Sequence, residues 1–314
     1  MVVPSSFRFS TLALALVFGL SPPAVAQEED TPWWDQSDGE EDSTARGIDT
    51  SALGDEGNVL PTETWSERFD SAGHEFYYSI RILGAEAGRA AFTIGGPVEI
   101  DGIGAVVPLQ GMAVSVGFFA AVYPFENTAL TYVNPENGLP FFSSKTIDES
   151  DALRRYEVTY NQEDFSSTVV RTRDERQSEF VRLGPSDLHD ALSWIIDLRT
   201  RDFSTGSRYV YHVYDGWKLS RLTLEVVGQR RLYTDVGPYD AAEFRIWREV
   251  MTATRPLPWA DDTSDLPPVY MVTDGPTDVG LGWFSNDDLR LPLAISITAP
   301  IGSLEMRLDR MVVP

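Results

Sequence analysis

His74, His189 and His212 are the three histidines of the chain, and there is no cysteine. The missing thiols remove thiolate catalysis, disulfide scaffolding, iron–sulfur ligation and Cys-based zinc sites together. Asp187-Leu188-His189-Asp190 sets one imidazole among carboxylates, which raises its basicity and suits acid–base work. At helical spacing, however, His189 turns away from the apolar stripe of Leu188 and Leu192, and it reads as a solvated first-turn residue. His74-Glu75 opens like the zinc-protease helix motif, but Tyr78 stands where the second histidine has to be. His212, among Tyr209, Tyr211 and Tyr214, reads as a strand residue satisfied by a neighbour.

Other chemistries fare no better. No Gly-x-Ser-x-Gly elbow presents a nucleophilic serine. Gly280-Leu281-Gly282 lacks the third glycine, the lysine and the following helix of a phosphate loop. Asp35-Gln36-Ser37-Asp38-Gly39 has its oxygen ligands out of register with a calcium loop and no closing glutamate. Asp287-Asp288 and Asp261-Asp262 supply the carboxylate pair that glycoside hydrolysis requires, yet adjacent acids are common in a chain this acidic. The 8 Trp and 12 Tyr suit a sugar or lipid cleft, or simply a core. No catalytic, cofactor-binding or metal-binding residue is assigned.

What must position any site is an exported, β-rich body. Against 25 Lys+Arg stand 48 Asp+Glu, a net charge of −23 over 314 residues, which excludes an unspecific grip on nucleic acid or an anionic bilayer. Residues 1–26 read as a cleaved signal peptide: Arg8 gives the positive start, Leu12 to Leu20 the apolar run, and Ala24-Val25-Ala26 the small residues before Gln27. The run is about half the ~20 residues that span a bilayer, and no later segment is apolar enough to do so. Residues 27–64 read as an acidic, solvated leader, holding eleven acids between Glu28 and Glu56 against Arg46 alone. Trp33-Trp34 is its one apolar feature.

Residues 65–314 read as a single β-rich domain. Short alternating runs such as Phe76-x-Tyr78-x-Ile80-x-Ile82, Tyr156 to Tyr160, Ser167 to Arg171 and Leu293-x-Ile295-x-Ile297 are separated by Asp101-Gly102, Asn137-Gly138 and Asp215-Gly216 turns. Met112 to Tyr123 reads as a further strand, and Gly84 and Gly88 as brackets of a strand bend. One segment has a helical period, with Leu188, Ala191, Leu192, Ile195 and Leu198 following Ser186 and Asp187, and predicts a helix over Asp187 to Arg199. Arg255 to Gly280, rich in proline and aspartate, reads as a long surface loop or lid. The fold class is mainly β: a curved antiparallel sheet or half-open barrel with one inserted amphipathic helix.

Four segments in this order resemble the bacterial domain of unknown function 3108 family: Tyr78 to Ala90 with its Gly84-x-x-x-Gly88 step; Asp187 to Arg199; Gly206 to Lys218 with Thr234 to Ala241; and Gly282 to Leu293 with Gly302-Ser303-Leu304. The resemblance spans Phe76 to Leu308. It implies envelope localisation and a β-rich fold, and brings no catalytic residue with it.

The expectation is a periplasmic or secreted binding or carrier protein, without enzymatic activity, for a lipid or other apolar ligand or for an envelope protein partner. The alternatives are a carboxylate-dependent hydrolase of envelope carbohydrate, and a structural or assembly protein whose leader engages a partner. N-terminal sequencing of the mature chain from an envelope fraction is expected to begin at Gln27; an intact Met1 terminus in the cytosol contradicts export.

Overall fold

The computed structural model describes residues 73–149, 152–173, 176–254, 267–299 and 302–313. The expected signal peptide and acidic leader, with Trp33-Trp34 and the expected start of the domain at 65, lie outside them. The alternating runs become β1 (Glu75–Ile82), β2 (Ala85–Ile94), β3 (Val98–Ile100), β4 (Gly104–Ser115), β5 (Phe125–Val133), β6 (Pro140–Glu149), β7 (Ala152–Asn161), β8 (Ser166–Arg173) and β9 (Arg176–Leu183). After them come β10 (Leu188–His189), β11 (Arg208–Tyr214), β12 (Leu219–Thr234), β13 (Gly237–Thr254), β14 (Val269–Ser285), β15 (Pro292–Ala299) and β16 (Gly302–Val312). Two helices of six residues, α1 (Gly117–Val122) and α2 (Ser193–Leu198), complete the described elements.

The strands form one curved sheet in the order β10 to β16, then β1, β2, β4 to β9, with β3 pairing β4 alone. From β11 to β16, from β1 through β2 to β4, and from β4 to β9, successive strands of the sheet pair antiparallel as a meander, and β16 pairs β1 to join the two halves. Only the short β10–β11 pair is parallel. The sheet is not closed: β9 and β10 are its two edges, although just Gly184 to Asp187 separate them in sequence. Those residues carry the chain across the opening. Pro185 is buried there, and a Cβ on Gly184 would lie 2.6 Å from Leu188 Cδ2.

Alternation sends one face of most strands inward. Phe76, Tyr78 and Ile80 of β1, Phe92 and Ile94 of β2, and Leu293 and Ile297 of β15 meet Ala191, Leu192 and Ile196 of the segment around α2 in one contiguous cluster. A second cluster sets Phe203 edge-to-face with Phe244 at 4.8 Å and with Phe284 at 5.8 Å, beneath β11 to β14. The interior is thus occupied by the chain's own side chains, each large one contributing roughly 1.5–3 kcal/mol.

Four expectations need correction. The helix over Asp187 to Arg199 is shorter: Leu188 and His189 are a strand, because they pair with His212 and Val213, and α2 starts only at Ser193. Asp190 and Ser193 set that start, with Asp190 Oδ1 accepting the Ser193 N–H at 2.8 Å and Ser193 Oγ accepting the Asp190 N–H at 3.0 Å. Met112 to Tyr123 is not all strand, since β4 ends at Ser115 and Gly117, at φ 57°, turns the chain into α1. Asp101-Gly102 belongs to a three-residue turn, Ile100 pairing with Gly104. Of the presumed loop at 255–280, residues 255–266 lie outside the description, but Val269 to Gly280 is strand. Its proline is accommodated at a bulge, where Gly275 and Pro276 both face Glu249 of β13.

Gly84, at φ 83°, makes the β1–β2 turn, and the bend lies at a bulge where Ala87 is extra beside Gly88. The strictest requirement for glycine is at Gly280. Its φ is 141°, and a Cβ would sit 2.0 Å from the Ser296 carbonyl oxygen of the neighbouring strand. Gly280→Ala is expected to destabilise by at least about 2 kcal/mol, from strained backbone and forced strand separation. Gly228→Ala, with open space around it, is expected to be within about 0.5 kcal/mol of wild type in urea unfolding.

Candidate functional site

The opening between the sheet's two edges is sealed by side chains. On the inward face, register aligns Ala129 of β5, Lys145 of β6, Tyr156 of β7 and Arg171 of β8 in one row. The row places Lys145 Nζ 5.1 Å and Arg171 Cζ 5.5 Å from the centre of the Tyr156 ring. From the other end of the sheet, the β11–β12 turn brings Trp217 over the Arg171 guanidinium at 4.2 Å, its ring edge-on to Tyr156 at 6.5 Å. Such cation–π contacts contribute about 0.5–2 kcal/mol each.

The turn is built for this approach. Asp215 Oδ1 accepts the N–H groups of Trp217 and Lys218, both at 2.7 Å. Gly216, at φ 84°, passes so close to β7 that a Cβ would lie 2.9 Å from Tyr156 Cβ. Lys145 Nζ donates to the Asp215 carbonyl and Tyr160 Oη donates to the Tyr214 carbonyl at 3.3 Å. Below them Val158, Tyr160 and Val169 from one end pack on Tyr214, Leu219 and Met251 from the other. Burial pushes the Lys145 amine down from its ordinary value, against the pull of nearby Asp215 and Asp190.

The other buried ionisable groups are equally engaged. Burial raises the Asp190 carboxyl, which accepts hydrogen bonds from Thr131 Oγ1 and the Ser193 N–H. Burial also raises Glu149, which accepts from Asn127 Nδ2 at 3.3 Å and Tyr123 Oη at 3.4 Å. Asp197 accepts from Tyr211 Oη at 2.9 Å and from Arg201. These groups hold segments together; Lys145, 7% exposed and covered by the turn it holds, has little room for a substrate.

His189 does not face solvent as expected. It is 5% exposed, hydrogen-bonded through Nδ1 to Ser193 Oγ at 3.1 Å, and edge-on to Tyr211 at 5.4 Å; pairing of β10 with β11 turned it inward. His74 is buried beside Phe76. His212 has the partner its position implied, Asp187 Oδ1 at 3.0 Å, and that contact holds the Asp187 carboxyl below its ordinary value. Asp287 is a turn residue, accepting from Ser285 Oγ at 2.6 Å and from the N–H groups of Leu289 and Arg290, while Asp288 is exposed beside it. Asp261-Asp262 and Asp35 to Gly39 lie outside the described residues. Among the described residues no three His, Cys, Asp or Glu side chains gather as metal ligands, and no helix is long and apolar enough to cross a membrane.

Two open grooves lie on outward faces. One, of about 360 Å³, runs over β2, β4, β5 and β6 between uncharged residues such as Thr93, Met112 and Leu130. The other, about 550 Å³, lies on β11, β12 and β13 and is edged by Pro276. Three cross-strand rows form it: Arg208 with Glu225, Val210 with Thr223 and Trp247, and Arg221 with Glu249. Arg221 Nε donates to Glu249 Oε2 at 2.6 Å, which holds the carboxyl below and the guanidinium above their ordinary values.

Sequence reasoning missed the clamp row, because strand pairing alone reveals which residues are opposite. One signal was present: Lys145 is one of only two lysines, with Lys218, in a chain whose other cationic residues are arginine. Acetylation of the folded protein at pH 8 is expected to modify Lys218 and spare Lys145 until denaturant is added; equal rates would contradict the clamp.

No curated protein matches the chain. Among solved structures it is similar to a β-barrel-like protein of the DUF1849 family from Brucella abortus, at 9% identity and TM-score 0.47, covering 78% of this chain and 98% of that one. It is also similar to a Bacteroides fragilis protein assigned as exported with a YmcC-like fold, at 6% identity and TM-score 0.30, covering 77% and 96%. A Parabacteroides distasonis protein assigned as a lipoprotein matches at 8% identity and TM-score 0.29, covering 77% and 95%. The family described as "Protein of unknown function (DUF3108)" matches residues 76–309, the whole span from β1 nearly to the end of β16, and the chain belongs to that family.

Proposed function

We propose that this is an exported, envelope-facing protein that acts by binding rather than catalysis, and that its partner engages the outer face of β11, β12 and β13. The N-terminal 26 residues support export, and the acidic stretch to residue 64 then serves as a solvated leader of one β-rich domain. The observation that carries the reading is the filled interior: Ala191, Leu192 and Ile196 pack inside the roll against strands from both of its halves. A lipid cargo inside would have to displace this core. The buried lysine and acids that catalysis would recruit are held by the chain's own donors and acceptors. Among the described residues two open grooves lie on the outside, and the larger of them, with charges and an aromatic ring, is the better equipped to recognise a partner.

A photo-crosslinking amino acid placed at Val210, an exposed groove residue, tests this in cells of the native host. The expected result is a discrete adduct from Val210 and none from an equivalent probe at Val181 on β9. No adduct at Val210, or one lipid per chain in the purified protein, overturns the proposal.

A further inference from the structure

The groove on β11 to β13 combines three features that together define a ligand chemistry. Trp247 lies half-buried at its centre, beside buried Thr223 and the exposed Val210. On one side lies the row of Arg208, Glu225 and Arg245, the last pairing with Asp278 and setting its guanidinium 5.4 Å from the centre of the Trp247 ring; on the other lies the Arg221–Glu249 ion pair. Arg221 and Glu225 stand four positions apart on β12, roughly 13 Å, so the polar pairs bracket the ring at both ends.

The charges select the ligand. The guanidinium groups of Arg208, Arg221 and Arg245 are matched by the carboxylates of Glu225, Glu249 and Asp278, so the charges around the ring cancel, while the whole chain carries −23. An anionic polymer is repelled by the molecule and finds no net positive charge in the groove; a cation finds each carboxylate set against an arginine. A neutral ligand that both donates and accepts hydrogen bonds suffers neither penalty. Arg221 and Glu249 are already oriented by their mutual contact, so planar groups are preset for adjacent hydroxyls. The indole offers a flat apolar surface with a polar rim, suited to a ring that is apolar on its faces and polar at its edge. An extended, open groove admits a chain passing through rather than a single enclosed ring.

We infer that this groove binds a neutral glycan chain, with Trp247 as the stacking platform and the Arg208–Glu225 and Arg221–Glu249 pairs as hydrogen-bonding ends. The inference rests on the reading of the outer face as the binding surface and specifies its ligand. Titration calorimetry of the mature protein with cellotetraose, maltotetraose and chitotetraose tests it, with polygalacturonate as the anionic comparison. At least one neutral tetrasaccharide is expected to bind, Trp247→Ala to weaken it at least tenfold, and Trp247→Tyr to retain it. Val210→Arg, a surface change that obstructs the groove without touching the core, is expected to abolish binding at unchanged urea midpoint; Met112→Ala in the other groove is expected to leave it intact. Binding of none of the three, a preference for polygalacturonate, or indifference to both Trp247→Ala and Val210→Arg overturns the inference. A protein adduct at Val210 in cells, with no glycan bound, refutes the glycan and leaves the outer-face reading standing; no adduct from Val210 removes both.

Discussion

A sheet that curls back on itself without hydrogen-bonding its last strand to its first has two rows of unpaired backbone groups facing each other, and something must hold them together. Here the chain does it with a row of side chains set above the apolar contact of Val158, Tyr160 and Val169 with Tyr214, Leu219 and Met251. Lys145, Tyr156 and Arg171 stand side by side because β6, β7 and β8 are in register, and the β11–β12 turn answers with Trp217 above and the Asp215 carbonyl beside them. Burying an amine is costly unless it is hydrogen-bonded, and this one is spent on the contact that joins the two ends. The charged, exposed β9 meanwhile discourages pairing with another molecule.

The same arrangement fixes which face of the sheet is core. With the segment around α2 packed between the halves of the sheet, the inside is core rather than vestibule, and its polar groups serve the fold: Asp190 starts α2, Asp197 anchors Tyr211 and Arg201. On the outer face β11 to β13 display charged and aromatic residues in alternation with the core residues Tyr211, Leu222 and Ile246. A single two-residue periodicity thus builds the core on one side and the groove on the other.

Much of this architecture was legible in the sequence because it follows from alternation and turn chemistry, which are local. Phe76 to Ile82, Tyr156 to Tyr160 and the turn at Asp215-Gly216 declare themselves. Features decided by distant partners do not. The apolar spacing of Leu188 to Leu198 suits a long helix, but β11 recruits Leu188 and His189 as a strand, and His189 goes inside with them. Pro276 argues against strand until the bulge opposite Glu249 is known. The groove was legible only as a surplus of aromatic residues; that Trp247 lies between two charge-balanced rows depends on the register of three strands.

Hydrogen exchange of the Lys145→Met variant tests the central claim, that one buried clamp joins the ends of an otherwise open sheet. Loss of protection is expected on both sides of the opening together, in β7 and β8 and in residues 214–219, while the ladder between β16 and β1 keeps its wild-type protection. Loss confined to β6, or none at all, would show that the sheet is held closed by something other than this contact.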